Sequence, residues 1–403
     1  MGEDALEFLP VAGIRLGSAE AGIKYAERKD LVIVELAEGS SCAAVFTRNA
    51  FCAAPVTVAR EHLAATAPAY LLINSGNANA GTGDEGMRAA RESCKAVAAA
   101  RACAINQVLP FSTGVIGELL PVQKIDAAVP SALSALSETG WADAARAIMT
   151  TDTVPKLVSR HFEHDGQRLV VTGMAKGSGM IRPDMATMLA YVATDAAVDP
   201  ALLQSCLEQA VAPSFNSITV DGDTSTNDAC VLMASGTAGG SMIDDPGSAG
   251  YSALCDAVRE VCMDLARAIV KDGEGATKLV EILVEEAMDE AEARDVAYTV
   301  AHSPLVKTAL FASDPNWGRI LAAVGRAGIA DLDIDRVGIW LGDVCIVTGG
   351  GRAPDYTEEA GQGVMDRDEI TIRVALGRGE AGTRVLTCDF SYDYVKINAE
   401  YRT

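Results

Sequence analysis

The sequence predicts a layered α/β sandwich with mixed sheets, followed by a smaller C-terminal α/β part. The chain of 403 residues has 49% apolar residues, 5% aromatic residues and 37 glycines, which is typical of a folded α/β protein. It also contains more strand-like segments than a single sheet alternating with helices would use. These observations predict two or more packed layers rather than one parallel sheet.

The helices are predicted from apolar residues spaced three and four apart. Met87, Ala90, Cys94 and Val97 follow this spacing, with acidic residues before them, where the helix dipole favours negative charge. Further helices are predicted at Ile125–Leu136, Trp141–Met149, Pro200–Ala212, Tyr251–Val270 and Trp317–Ala327.

The strands are predicted from alternation or from short apolar runs. Residues 370–376 alternate clearly, and residues 386–394 repeat the pattern after a glycine-rich turn, which predicts an antiparallel hairpin. The other strands are predicted at Leu31–Leu36, Ala43–Phe46, Tyr70–Ile73, Gln107–Phe111, Leu169–Thr172, Met188–Ala193, Cys230–Ala234, Leu279–Val284 and Val337–Trp340.

The sequence contains no internal repeat and no low-complexity linker. The charge-rich run at residues 285–294 is the one candidate for a structural boundary, and its other interpretation is the solvated face of a helix.

Charge and composition exclude several classes of function. The net charge of −22 would repel nucleic acid and anionic membrane surfaces. The acidic N-terminus does not resemble a secretion signal, so we expect a cytoplasmic protein. The ten cysteines include no CxxC pair, and there are only four histidines, so we expect neither a metal site nor a histidine-based triad.

The segment Lys176–Leu189 carries the most chemical information. A glycine-rich loop with one lysine leads into a proline turn and then into an apolar strand that begins at Thr187. The loop lacks the order of residues of a phosphate-binding P-loop. Taken alone, Thr187 would be interpreted as a half-buried threonine at a strand start.

The wider sequence resembles the self-cleaving ornithine acetyltransferase family, also called the bifunctional glutamate N-acetyltransferases of arginine biosynthesis. The resemblance extends over essentially the whole chain. The segments that carry it are Val45–Asn49, Asn74–Asn79, Ser112–Gly117, Met149–Thr153, Lys176–Leu189, Asn216–Asp228, Asp272–Lys278, Asp314–Arg319 and Tyr394–Thr403.

The resemblance implies that the precursor cuts itself between Ala186 and Thr187, giving an alpha chain of residues 1–186 and a beta chain of residues 187–403. Thr187 would then be the catalytic nucleophile. Its new α-amino group, with an ordinary pKa of about 7.7–8.0, suits the role of a general base near neutral pH better than a lysine at about 10.4.

Thr113 and Gly114 match the oxyanion hole of the family. A hydroxyl beside a closely approaching glycine amide can donate two hydrogen bonds to a tetrahedral intermediate. Without the family context, this pair would be interpreted as an ordinary turn after a strand ending at Phe111.

The resemblance also implies a set of substrate-binding residues: Thr150, Lys176, Thr187, Glu274, Asn398 and Thr403. Lys176 can pair with an anionic group of the substrate, and Glu274 can pair with a cationic one. A local surface pair with Lys271 or Lys278 is the alternative for Glu274. Asn227 and Asp228 either hold the self-cleavage loop or form a structural turn.

The implied activity is acetyl transfer from N-acetylornithine to glutamate through an acetyl-threonine intermediate. No resident cofactor is implied, and the use of acetyl-CoA as a second donor stays open. The resemblance implies a dimer of cleaved protomers, which is a heterotetramer. Two alternatives remain: an autoprocessed N-terminal-threonine amidohydrolase or aminopeptidase, and a ligand-binding protein with a silent site.

Overall fold

The computed structural model describes residues 6–182 and 188–400. The predicted cleavage residues Ala186 and Thr187 and the terminal Thr403 lie outside the described residues. The chain divides into two compact units. Unit 1 comprises Met1–Gly177, Arg182–Asn216 and Thr224–Ile269, and unit 2 comprises Ser178–Ile181, Ser217–Asp223 and Val270–Thr403.

The strands of unit 1 form two mixed sheets. In chain order they are β1 (Ile14–Ala19), β2 (Leu31–Leu36), β3 (Ser41–Phe46), β4 (Tyr70–Asn77), β5 (Val108–Val115), β6 (Lys156–His164), β7 (Gln167–Lys176), β8 (Leu189–Thr194) and β9 (Ala229–Ala234). One sheet has the order β1-β2-β4-β5 and the other the order β3-β9-β8-β7-β6. Each combines antiparallel pairs with one parallel pair, β4 with β5 and β8 with β9.

The helices beginning in unit 1 are α1 (Ala54–Ala65), α2 (Gly83–Arg101), α3 (Val122–Ser134), α4 (Trp141–Ala147), α5 (Pro200–Val211) and α6 (Ala249–Lys271). The helices α1 to α3 cover the outer face of the first sheet. On the second sheet α5 contacts β3, and Gly173 of β7 faces Val261 and Leu265 of α6.

The two sheets of unit 1 pack face to face around one apolar core, which includes Leu16 of β1 and Tyr191 of β8. Strand β2 shows how the sequence builds these layers. Val32 and Val34 enter the core between the sheets, whereas Leu31 and Ile33 enter the core under the helices. The prediction of a layered α/β sandwich with mixed sheets is therefore confirmed.

Unit 2 contains a third mixed sheet with the order β13-β12-β11-β14-β10-β15. Its strands are β10 (Leu279–Ala287), β11 (Gly338–Leu341), β12 (Val344–Thr348), β13 (Gly351–Arg352), β14 (Glu369–Ala375) and β15 (Ala381–Cys388). Its helices are α7 (Glu290–Ala301), α8 (Pro304–Phe311), α9 (Trp317–Gly325), α10 (Glu358–Met365) and α11 (Tyr392–Glu400). Residues 285–294 lie inside this unit, at the end of β10 and the start of α7.

The predicted hairpin of residues 370–376 with residues 386–394 is wrong. Strand β10 lies between β14 and β15, parallel to the first and antiparallel to the second. Val280, Ile282 and Val284 of β10 are fully buried, which a central position achieves and an edge position does not. The apolar strand β10 therefore occupies the position beside β14 that we predicted for β15.

The second half of the predicted hairpin strand is a helix. Strand β15 ends at Cys388, and α11 begins at Tyr392. The ring of Tyr394, in the first turn of α11, stacks on the ring of Phe390, which lies between β15 and α11, with the centroids 4.5 Å apart. Within the described residues, no helix is long and apolar enough to cross a membrane.

Candidate active site

A buried cluster of charged side chains lies at the end of β7 in unit 1. Lys176 is the last residue of β7 and is 8% exposed. The Asp152 carboxylate pairs with Lys156 at 2.7 Å between Nζ and Oδ1, and both side chains are at most 1% exposed. The same carboxylate accepts hydrogen bonds from Gly177 N at 2.7 Å and from Thr150 N at 3.0 Å. Asp152 therefore binds the amide of Thr150 and the amide of Gly177, the residue after Lys176.

The charges of this cluster do not cancel. Burial alone would raise the pKa of Asp152, but Lys176, Lys156 and the Gly177 amide outweigh that effect and lower it to about 2. Two ammonium groups thus face one carboxylate. Burial also raises the pKa of the nearby Asp228 well above its ordinary value, which favours the neutral form of that side chain. Lys156, Lys176 and Asp152 by themselves have a formal charge of +1, which suits an anionic ligand.

Thr113 and Gly114 lie inside β5 rather than in a turn. Strand β5 continues beyond Phe111 because β4 continues beside it, with Gly76 opposite Gly114. Gly114 has φ +133°, and a Cβ atom there would be 2.3 Å from the backbone carbon of Gly76. Only glycine fits this close approach, which leaves the backbone at Gly114 free of side-chain shielding.

Asn227 and Asp228 precede β9 in unit 1. The Asn227 amide donates hydrogen bonds to Ser112 O at 2.9 Å and Ala78 O at 2.6 Å, so it holds the backbone next to Thr113. Asp228 is buried, and its Oδ2 atom has no hydrogen-bond partner among the described residues. The Asn227 side chain thus joins the segment before β9 to the backbone of Ala78 and of Ser112.

Unit 2 brings together Glu274 and Asn398. Glu274 is 7% exposed, and its Oε2 atom accepts a hydrogen bond from Asn398 Nδ2 at 2.8 Å. The Glu274 amide donates to Ser178 O at 2.8 Å. A Cβ atom added to Gly179 would lie 2.4 Å from the Glu274 carboxyl group, so the side chain packs on this glycine.

The two lysines that offered a local partner for Glu274 have other contacts. Lys271 pairs with Glu369 at 3.6 Å, and Lys278 Nζ donates to Met365 O at 2.6 Å. Glu274 is therefore held by the C-terminal helix α11 rather than by a surface ion pair.

The sequence analysis singled out Thr150 and Lys176 but missed Asp152, which binds the amides of Thr150 and of Gly177, next to Lys176. The available signal was the polar run from Thr150 to Thr153, because an aspartate in such a run commonly accepts hydrogen bonds from nearby backbone amides. In the described ranges, no group of three or more His, Cys, Asp or Glu side chains is arranged to hold a metal ion.

Comparisons with known proteins show the family of this chain. The model of the ArgJ family matches residues 15–403. The arginine biosynthesis bifunctional protein ArgJ of Methylococcus capsulatus is 65% identical over 398 residues, which cover 99% of this chain and 97% of the relative. The protein of the same name from Pseudomonas fluorescens is 56% identical over 394 residues, covering 98% and 97%.

Among solved structures, the arginine biosynthesis bifunctional protein ArgJ of Bacillus halodurans matches with a TM-score of 0.50 and 40% identity. The match covers 53% of this chain and 99% of that chain. Together with the mixed α/β fold, these similarities define an acyltransferase enzyme of arginine biosynthesis. The chain belongs to the ArgJ family, which confirms the resemblance drawn from its motifs.

Proposed function

We propose that this enzyme transfers the acetyl group of N-acetylornithine to glutamate, in two steps, through an ester on Thr187. The observation that carries this proposal is the buried cluster of Lys176, Lys156 and Asp152, which has net positive charge. Both substrates carry a carboxylate, and Lys176 would bind it. Membership of the ArgJ family supports an acetyl-transfer reaction in arginine biosynthesis.

In the first step, the Thr187 hydroxyl attacks the acetyl carbonyl and gives its proton to the α-amino group of the same residue. The Thr113 hydroxyl and the Gly114 amide would stabilise the oxyanion. The C–N bond then breaks, and ornithine leaves with the proton. In the second step, the glutamate amine attacks the ester, and the Thr187 hydroxyl is restored.

The free α-amino group requires prior self-cleavage between Ala186 and Thr187. We propose that the Thr187 hydroxyl attacks the carbonyl of Ala186 in an N-to-O acyl shift, and that water then hydrolyses the ester. The products are residues 1–186 and 187–403, and two cleaved protomers would assemble into a heterotetramer.

The remaining binding residues would recognise the rest of the substrate. Glu274 would pair with the side-chain ammonium of ornithine, and Thr150, Asn398 and Thr403 would offer neutral hydrogen bonds.

No resident cofactor is needed for these steps. Because the relatives are named bifunctional, we also propose acetyl-CoA as a second acetyl donor. The ten free cysteines support a reducing compartment such as the cytoplasm.

Initial-rate kinetics test the two-step mechanism. Because the acetyl group leaves its donor before glutamate binds, double-reciprocal plots against N-acetylornithine at several glutamate concentrations should be parallel. Labelled acetyl should be trapped on Thr187 after rapid denaturation. Intersecting lines without trapped label would contradict the intermediate, and acetate release that does not depend on glutamate would indicate the amidohydrolase.

Replacing Asn398 tests the contribution of the C-terminal helix. The substitution Asn398→Ala removes the hydrogen bond that orients Glu274, so KM for N-acetylornithine should rise roughly three- to ten-fold. Val395→Ala, on the exposed surface of the same helix, is the control and should leave KM unchanged. Deletion of Asn398–Thr403 should weaken transfer further but leave self-cleavage intact. An unchanged KM in Asn398→Ala would contradict the role of this residue.

A further inference from the structure

Asp221, which is not among the predicted site residues, binds two backbone amides a few residues before the proposed cleavage bond. Asp221 lies in the segment Ser217–Asp223 of unit 2. Its Oδ2 atom accepts a hydrogen bond from Met180 N at 2.6 Å, and its Oδ1 atom accepts one from Ile181 N at 2.9 Å. One side chain therefore fixes two consecutive backbone amides in the same stretch of sequence as Ala186 and Thr187.

The carbonyl side of Ile181 is fixed as well. Thr219 Oγ1 donates a hydrogen bond to Ile181 O at 2.9 Å, and Val220 N donates to the same oxygen at 2.8 Å. Ile181 is 1% exposed. Thr219, Val220 and Asp221 thus bind both the amide and the carbonyl group of Ile181. A loop on the protein surface can leave these groups to solvent, so this segment is more restrained than an ordinary loop.

Met180 has a backbone conformation that residues with a Cβ atom rarely adopt, and the hydrogen bonds to Asp221 hold it there. Met180 has φ +55°, in the left-handed region, which is unfavourable for a residue with a Cβ atom. The residue is 41% exposed, so its side chain is not anchored in the core. The hydrogen bonds to Asp221 provide the compensation. Strain of this kind persists where the surroundings over-determine the backbone.

We propose that Asp221 is a positioning residue for self-cleavage, an inference that rests on the proposed function. An N-to-O acyl shift requires the hydroxyl and the preceding carbonyl in a narrow attack geometry. Holding Met180 and Ile181 removes backbone freedom on the N-terminal side of the proposed cleavage bond before the reaction. Asp221 touches neither substrate nor reacting atoms in this role.

Pulse-labelled cell-free synthesis of the full chain tests the proposal, because cleavage can be followed from the moment the precursor is made. Asp221→Ala should slow the appearance of the two chains roughly ten- to a hundred-fold, because it removes the acceptor of the Met180 and Ile181 amides as well as a third hydrogen bond, from Asp223 N at 3.2 Å. Asp221→Asn keeps one acceptor oxygen and should cleave at an intermediate rate. Asp223→Asn changes an exposed carboxylate in the same segment and should cleave like the wild type.

A second measurement separates positioning from folding. In the uncleaved Thr187→Ala background, thermolysin should cut before Ile181 faster once Asp221→Ala is added, while the midpoint of thermal unfolding stays close to that of the parent. Slower self-cleavage with unchanged thermolysin protection would overturn the positioning role.

The outcomes distinguish this inference from the proposed function. Equal cleavage rates for the wild type and Asp221→Ala would overturn the inference alone. A wild-type precursor that never cleaves would overturn the self-cleavage step itself. If Asp221→Ala fails to fold, Asp221→Asn decides: a wild-type rate in that variant contradicts the inference, and an intermediate rate with a normal unfolding midpoint supports it.

Discussion

Replacing Thr187 with alanine should leave a single uncleaved chain and lower acetyl transfer by about 10⁴-fold or more. The same hydroxyl is proposed to attack the Ala186 carbonyl during maturation and the acetyl carbonyl during turnover, so its loss removes both reactions. Denaturing mass spectrometry of the purified protein measures cleavage, and an assay of ornithine release measures turnover.

The substitution Thr187→Ser provides the matched control, because it keeps a hydroxyl at the same position. This variant should still cleave and retain measurable transfer. A wild-type chain that stays at full length yet exchanges acetyl groups would show that the base is not the new α-amino group. Full activity in Thr187→Ala would refute the nucleophile.

Replacing Asp152 should give the largest loss of stability in unit 1. The substitution Asp152→Ala leaves Lys156 buried without its carboxylate and frees the Thr150 and Gly177 amides, so the free energy of unfolding should fall by roughly 3–5 kcal/mol. KM for N-acetylornithine should rise because the amides of Thr150 and of Gly177, next to Lys176, lose the acceptor that fixes them. Urea denaturation and initial-rate kinetics measure the two effects.

An exposed aspartate in the same unit gives the control for this loss. Asp143 pairs with Lys29 on the surface, where its side chain is 56% exposed, so Asp143→Ala should change stability by at most about 1 kcal/mol. Similar losses in both variants would contradict the importance assigned to the buried cluster.

The Asp152 cluster also predicts a dependence of stability on pH. The folded pKa of about 2 lies below the ordinary value of 3.8, so the unfolded state binds protons first as the pH falls. The stabilisation, ~2 kcal/mol, should be complete above about pH 4 and decline towards pH 2. Asp152→Asn, which cannot titrate, should lack this component of acid sensitivity.

Local patterns predicted most elements of unit 1 because each needs only its own periodicity. Strand β2 begins and ends where its apolar run does, and α5 begins at Pro200 after Asp199, whose side chain accepts hydrogen bonds from two amides of the first turn. Elements with weak or mixed patterns, such as β1 and α8, escaped prediction.

The partners of the strands and the contacts of the site could not be predicted in the same way. Alternation at residues 370–376 indicates a strand but not which strand pairs with it. The short turn after residue 376 predicted pairing with β15, but β10 lies between the two strands. Likewise, the motif around Gly114 marked an important backbone position, but the close approach of Gly76 became visible only when β4 and β5 were paired.

Composition, periodicity and motif order thus predicted the fold class and the family, both of which are confirmed, because these depend on neighbours along the chain. The residues of the site stay a prediction. The roles of Asp152 and Asp221 required three-dimensional contacts. Asp152 binds Gly177 and Asp221 binds Met180, residues that are far apart in the sequence. A carboxylate has the same local pattern whether it is solvated or binds buried amides, and its packing environment alone distinguishes the two.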